Sequence, residues 1–393
     1  MKTTLPAPSE VIGAFEETYR EQSERFTGDE PAWQPVHTVY VPADQVSADT
    51  VDAWGRTATE LLHEHLFSPG ELPPLCGLDP DLAAPVHERV RRKLRIEPVE
   101  DLRIDFEDGY GRRPDAEEDR HVESAAAAVA AMARAGTLPR RWGLRVKSFA
   151  DGDPVRSVRT LDGFLTEVVA QVGSLPAGFT VTFPKVLMEA YLGQFAACLE
   201  TLEGALGLPE RTLRFEIQVE APQTVAFLLR SPDLVRSLKG RLAAAHFGVF
   251  DYTASCGLPP HEQRLDHPVC DHAREVMRVA FAGTGVELSD GSLAAHPASD
   301  RTEDVRALWA RHAALVAHSL SNGFYQGWDM HPSHLVSRYA AVYAFHLANY
   351  EEYCARVEAW EQRRDAGGGV MDEPATIRSL MAALRRADHA LSL

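Results

Sequence analysis

No run of this sequence is apolar over the roughly 18–20 residues that a helix needs to cross a bilayer. The opening Met1-Lys-Thr-Thr-Leu-Pro6 lacks the apolar segment of a secretory signal. Cysteine is scarce: Cys76, Cys198, Cys256, Cys270 and Cys354 are odd in number and widely scattered. That excludes a disulfide framework and suggests reduced thiols in a cytoplasmic protein. Positive charge is also in short supply, with 40 Lys and Arg against 57 Asp and Glu and a net charge of −17. DNA and anionic membrane are therefore poor candidates as main partners, although a local basic pocket for a phosphorylated ligand remains open. There is no internal repeat, and the one biased stretch, Ala125–Ala131, is simply good helix former.

What is present reads as an alternation of strands and helices. At 393 residues the chain has room for one barrel of about 250 residues with extensions at both ends. A polar helical lead, 1–33, precedes a β-branched and aromatic strand, Val36–Val41, ended by Pro42. Helical patterns near 50–66 and 85–95 flank a proline-rich loop at 68–85. Strands follow at 102–106, 142–147, 179–183, 213–219 and 242–249, and weaker ones near 286–288 and 324–328. Helices are expected near 117–135, 157–172, 188–204 and 222–230. This alternation predicts a parallel sheet, and about eight strands favour a closed (β/α)8 TIM barrel, placed at 34–334. A doubly wound open sheet is the alternative, but no G-x-G-x-x-G turn follows the first strand. From 335 to 393 the chain reads as a helical extension and lid: one long helix to about 364, a break at Gly367-Gly-Gly369, and a final helix near 375–391 with Pro374 in its first turn.

The most informative stretch is Leu102-Arg-Ile-Asp-Phe-Glu-Asp-Gly-Tyr110, which places Asp105, Glu107 and Asp108 at the end of an apolar run. Side chains alternate faces along a strand, so Asp105 and Glu107 share one face. Burying them together needs a cation, an arginine or water. Carboxylates at the C-terminal end of a strand, before a glycine turn, suit the mouth of a (β/α)8 barrel.

Other polar residues sit where strands should end: Arg145, Lys185, Glu216, Glu220, Asp251 and His331. Hard oxygen ligands without a Cys/His quartet select Mg²⁺, with Mn²⁺ equally suited. Glu220 and Asp251 end adjacent strands and are the candidate ligands; Arg145 is the candidate two-point clamp on a substrate carboxylate. A divalent ion there would chelate a 2-oxo acid and stabilise the enolate formed when a C–C bond breaks. Lys185 reads as a carboxylate binder, with a Schiff-base role as alternative. His331 either shapes the mouth or contacts substrate, and Glu216 is either a ligand or an ion-pair partner inside the barrel. Cys256, His261, His267, Cys270 and His272 match no standard zinc spacing and read as a loop over the mouth.

The ordered motifs resemble the citrate lyase β-subunit/HpcH–HpaI aldolase superfamily, which includes malyl-CoA and citramalyl-CoA lyases. Val39-Tyr-Val-Pro42 is similar to its first-strand "LFVP", Ile104-Asp-Phe-Glu-Asp108 to "LDLED" and Leu144-Arg-Val146 to "VRVN", with Lys147 in place of the asparagine. Phe183-Pro-Lys185 matches "LPK", Gln218-Val-Glu-Ala-Pro222 resembles the "IET" strand, and Gly248-Val-Phe-Asp251 matches "GxxDL". Ser289-Asp-Gly291, Gly327-Trp-Asp-Met-His-Pro332 and Gly369-Val-Met-Asp-Glu-Pro374 are similar to its "IDG", "GxxxIHP" and "GxMIDxP" elements. The departures are Ala221-Pro222 after the metal glutamate, the Pro- and His-rich segment 253–273, and the residues before the first strand, which together mark a divergent branch.

The resemblance implies a Mg²⁺-dependent barrel acting on 2-oxo acids or acyl-CoA thioesters. It maps Arg145 to the substrate arginine, Glu220 and Asp251 to the metal ligands, and Glu107 and Asp108 to groups that hold the metal's water. Asp372 maps to a lid aspartate that serves the CoA lyases as acid/base and commonly comes from a neighbouring subunit, which implies a homo-oligomer. The basic run Arg89, Arg91, Arg92, Lys93 and Arg95 is either a solvated helix face or a pocket for CoA phosphates. The expected activity is a C–C lyase on a β-hydroxyacyl-CoA. The alternatives are an aldolase on free 4-hydroxy-2-oxo acids and a barrel that binds a ligand without turnover.

Overall fold

The computed structural model describes residues 4, 12–26, 28, 32–362 and 372–392. Helix α1 (Phe15–Arg25) leads into β1 (His37–Pro42), which is followed by α2 (Thr50–His65), the short α3 (Leu72–Cys76) and α4 (Ala83–Ile96). Next come β2 (Asp101–Asp105), α5 (Asp115–Ala135), β3 (Arg141–Arg145), α6 (Pro154–Val172), β4 (Phe179–Phe183) and α7 (Ala190–Leu206). β5 (Arg214–Val219), α8 (Pro222–Leu228), α9 (Leu234–Ser237) and β6 (Leu242–Phe247) lead to α10 (Val249–Ser255) and α11 (Pro268–Phe281). β7 (Glu287–Ser292), α12 (Thr302–Ser321), β8 (Gln326–Asp329), α13 (Ser333–Ala348), α14 (Tyr350–Glu361) and α15 (Pro374–Leu391) complete the described chain. The eight strands are parallel and close in sequence order, with β8 returning to β1 through His37↔Gly327 and Val39↔Asp329. Among the described residues no helix is long and apolar enough to cross a membrane.

Period-two alternation builds the barrel. On β2 and β5 the outward residues Leu102, Ile104, Phe215, Ile217 and Val219 are apolar and fully buried under helices. The inward residues are polar. Arg103, wholly buried, donates through Nε to Thr182 and Glu216, through Nη2 to Glu216 and through Nη1 to Asp101. Such a core needs every charge paired, because an unpartnered ion in low dielectric costs several kcal/mol. Glu216 therefore serves the interior of the barrel.

Local outcomes differ from the sequence reading in several places, among them the short helix α3 inside the expected loop 68–85. The strand expected to reach 249 stops at Phe247, so Asp251 lies in the first turn of α10 instead of closing a strand. The long helix expected from 335 divides at Asn349 into the mostly buried α13 and the mostly exposed α14. The segments forming α11 and α12 carried no helix assignment. α11 starts from His267, whose ring accepts from the Val269 N–H at 3.2 Å, an uncommon cap that hides the start in a Pro- and His-rich run.

The C-terminal helix α15 packs on α13 and α14. Its Arg386 guanidinium lies 4.5 Å from the ring of Tyr325, just before β8, and its Leu391 carbonyl accepts from Arg89 on α4. In its own chain the end of α15 thus lies at the N-terminal end of the barrel.

Candidate active site

The C-terminal ends of β2 to β6 bring the expected charged residues together. Asp105, the last residue of β2, receives the Arg145 guanidinium from β3 on two edges, Nε at 2.7 Å and Nη2 at 2.6 Å. The same carboxylate accepts the backbone N–H groups of Glu107 and Gly109, each at 2.8 Å. A Cβ on Gly109 would lie 2.6 Å from Asp105 Oδ2, so only glycine lets the turn wrap this carboxylate. Arg145 also lies 4.9 Å from the centre of the Tyr40 ring, and its Nη1 is 3.3 Å from Glu107 Oε2. This corrects the expectation of a free two-point clamp: the paired edge is taken by Asp105, and Nη1 is the edge directed to the mouth at Glu107. Burial disfavours the Arg145 charge, but the Asp105 and Glu107 carboxylates more than offset it and hold the pKa well above the usual arginine value.

Lys185 follows β4 in a left-handed backbone conformation, φ 49°, an uncommon state for a side chain with a Cβ. This turn aims its backbone N–H at Glu220 Oε1, 2.7 Å away. Its ammonium donates to Glu107 and to both oxygens of Asp108, the latter at 2.7 Å, and lies 3.8 Å from Asp251 Oδ2. One residue therefore lies against four of the carboxylates gathered at the strand ends. Lys185 is an internal counter-ion here, its ammonium held by Glu107 and Asp108. With an acidic cage around an ammonium whose pKa is raised in spite of burial, it is protonated and unsuited to attack a carbonyl.

Glu220 follows β5 and is 3% exposed. Burial pushes its pKa up to about 8, and the charges of Glu107 and Asp251 add to the shift. Glu107, also buried, is pushed up to about 7 by desolvation, with Arg145 and Lys185 opposing and Asp108 adding to the rise. Burial raises Asp251 as well, whereas the hydrogen bond and charge of Lys185 outweigh burial and lower Asp108. Gly248 makes room: a Cβ there would meet both Glu220 Cβ and Oε2 at 2.5 Å.

Five carboxylates, Asp105, Glu107, Asp108, Glu220 and Asp251, thus share two cations, Arg145 and Lys185. The donor set is all oxygen, and the carboxylates outnumber the cations that face them. Both facts fit a divalent ion such as Mg²⁺, which takes one or two protein carboxylates and completes its shell with water and substrate oxygens. Glu220 and Asp251 could hold it.

The remaining expected residues lie apart from this cluster. His331, after β8, hydrogen-bonds Ser333 Oγ at 2.8 Å beside His296, and burial lowers its pKa. His331 thus bridges the β8–α13 turn and the loop after β7. Asp372 is paired with Arg356 of α14 at 2.6 Å with its carboxylate 6% exposed, so in its own chain it does not face Glu220. Residues 369–371 of the same motif lie outside the described residues.

Arg91, Arg92 and Lys93, the candidates for CoA phosphates, lie away from the carboxylate cluster. They sit in the last two turns of α4, which delivers the chain to the start of β2, the opposite end of the barrel from the carboxylates. Lys93 is buried between Glu97 and Glu100, each 2.6 Å away, and Arg91 pairs with Glu88. Arg92 and Arg91 line a surface groove with Arg56, Glu60 and His63, mixed in charge. The Cys/His segment does not converge either: Cys270 is buried against the Arg264 carbonyl and His267 caps α11. Among the described residues the one set of three potential metal ligands within 4.8 Å is His312, Asp329 and His334, behind β8. There Asp329 is taken by Arg338, His37 and His312, and His334 bridges the Ala295 carbonyl and the Met330 N–H. It reads as a hydrogen-bonded brace.

Sequence reasoning missed three contributors. Tyr40 stacks under Arg145; Gln218, fully buried one inward position before Glu220, has an Oε1 without a protein partner; Gly248 clears space for Glu220. The parity of β5, Glu216-Gln218-Glu220, was the available signal for Gln218.

A closed eight-stranded parallel barrel whose strand ends gather a carboxylate cluster is the class that this fold and site define. Within it, the chain belongs to the family described as "Domain of unknown function (DUF6986)", whose model matches residues 15–391. No curated protein matches the sequence. Among solved structures the chain is similar to native malate synthase of Haloferax volcanii, with 12% identity, 92% of this chain and 98% of that chain covered, and a TM-score of 0.54. The magnesium/glyoxylate complex of the same enzyme gives 12% identity, 90% and 98% coverage and a TM-score of 0.52. CitE from Mycobacterium tuberculosis gives 17% identity, 91% and 98% coverage and a TM-score of 0.48, too low to carry an argument. At these identities the likeness establishes the barrel fold.

Proposed function

We propose that the protein is a Mg²⁺-dependent enzyme that makes or breaks a C–C bond through an enolate, with a 2-oxo acid or acyl-CoA as substrate. The observation that carries this reading is the crowding of Glu107, Asp108 and Asp251 around the Lys185 ammonium, with Glu220 held by the Lys185 backbone N–H and pushed up to about 8 by burial and by the charges of Glu107 and Asp251. A bound divalent ion would supply electrophilic stabilisation of the enolate oxygen. The chain's own residues do the rest. Lys185 N–H fixes Glu220, Asp105 fixes the plane of Arg145, and Arg145 Nη1 offers a single hydrogen bond to a substrate oxygen. Glu107, pushed up to about 7, is placed to exchange a proton near neutral pH.

Asp372 as acid/base would have to come from a second copy, since its own chain ties it to Arg356. That requires a homo-oligomer in which the α14–α15 hairpin of one protomer reaches the barrel mouth of another. The malate synthase of the same fold is described in complex with pyruvate and acetyl-CoA, which makes that pair the natural ligands to try. A second reading, an aldolase on free 4-hydroxy-2-oxo acids, gains from the placement of Arg91, Arg92 and Lys93 away from the mouth. Binding of pyruvate or glyoxylate with Mg²⁺, measured with and without acetyl-CoA, separates the two. Enhancement by acetyl-CoA selects the thioester branch, and indifference to it selects the free acid.

A further inference from the structure

We propose that Lys185 is a resident counter-cation that the divalent ion displaces, so that the ammonium and the metal are alternative occupants of one carboxylate cage. This rests on the metal reading above and goes beyond it by assigning Lys185 a part in loading. Three observations carry it. The ammonium contacts Glu107 and both oxygens of Asp108, and lies 3.8 Å from Asp251, a candidate metal ligand. The backbone N–H of the same residue binds Glu220 Oε1, so the stem of Lys185 is rooted beside the other candidate ligand. The side chain is 23% exposed, which leaves an exit path for the ammonium at the mouth.

A divalent ion between Glu220 and Asp251 would place two positive charges close to a third, and like charges at such range in a partly desolvated site repel strongly. The root of the residue cannot move without losing the Glu220 contact and its unusual backbone turn. The four-carbon stem can, since each of its torsions has staggered alternatives. Metal entry therefore drives the ammonium outward, where it becomes a free cation at the rim for an anionic substrate. The order of binding follows: metal first, then anion.

The test is Mn²⁺ and Mg²⁺ affinity by calorimetry, together with thermal unfolding, for the full-length wild type, Lys185→Met and Lys185→Gln. Removing a competing unit charge at this range is expected to tighten metal binding by about tenfold or more. The metal-free variants should melt below wild type, because the cage then has only Arg145, and Mn²⁺ should raise their melting temperature by more than it raises that of wild type. Metal binding by the variants alone would equally support the exchange. Equal or weaker affinity in both variants, with wild type binding normally, overturns it. Absence of binding to all three proteins removes the metal reading itself, and the exchange with it.

Discussion

Arg145 and Asp105 meet edge to edge, Nε on Oδ1 at 2.7 Å and Nη2 on Oδ2 at 2.6 Å, and both are almost fully buried. Removing one member leaves an uncompensated charge at the end of β2 or β3. Asp105→Ala should destabilise the protein by about 3–5 kcal/mol, the range for breaking a buried pair. Urea unfolding measures it. Arg145→Lys should lose activity with the fold intact, because a point charge cannot reproduce the two-edge contact.

Gly248→Ala should disable the site more than it weakens the fold. The added Cβ falls 2.5 Å from Glu220 Cβ and Oε2, so the backbone carrying Glu220 must shift and take its carboxylate out of place. The expected outcome is at least about tenfold weaker Mg²⁺ binding, with a stability loss in the about 1–3 kcal/mol range of an overpacked site. Calorimetry and urea unfolding of the same preparation separate the two effects.

The metal-free protein should lose stability as pH rises. Glu220, pushed up to about 8, and Glu107, pushed up to about 7, hold protons that the unfolded chain releases near 4.5. The native state binds more protons across this window, so stability falls from about pH 5 to about pH 8. Unfolding in EDTA should show this slope. Saturating Mg²⁺ and the Glu220→Gln substitution should each flatten most of it.

Asp372 and Glu220 should complement across subunits. If Asp372 of one protomer serves the barrel of another, then Asp372→Ala and Glu220→Gln homo-oligomers are each inactive, and a mixed oligomer recovers part of the wild-type rate. Mixing after reversible dissociation and assaying C–C cleavage reads the outcome. Recovery is not expected if the pair with Arg356 is the aspartate's only duty.

The barrel was legible in the sequence because its outward strand residues are apolar and its helices amphipathic at steady spacing. The carboxylates were legible because Asp105, Glu107, Glu220 and Asp251 follow apolar runs. Their pairings were not. Nothing in the spacing of Arg145 shows that Asp105 occupies its paired edge, or that Lys185 reaches back across the mouth to Glu107 and Asp108. The basic run on α4 misled for a related reason: clustered charge in sequence does not reveal which end of the barrel a helix terminates at, and Lys93 proved to be an interior partner of Glu97 and Glu100. The helix after His267 was hidden by its unusual cap.

A mouth that holds a divalent ion for an enolate-forming substrate should bind an enolate mimic only when the ion is present. Calorimetric titration with oxalate, a mimic of the pyruvate enolate, tests it most directly, run with Mg²⁺, with EDTA, and with Glu220→Ala. Oxalate is expected to bind only with Mg²⁺ present and not to bind the variant. Oxalate binding that is equal with and without Mg²⁺, or unchanged in Glu220→Ala, would contradict it.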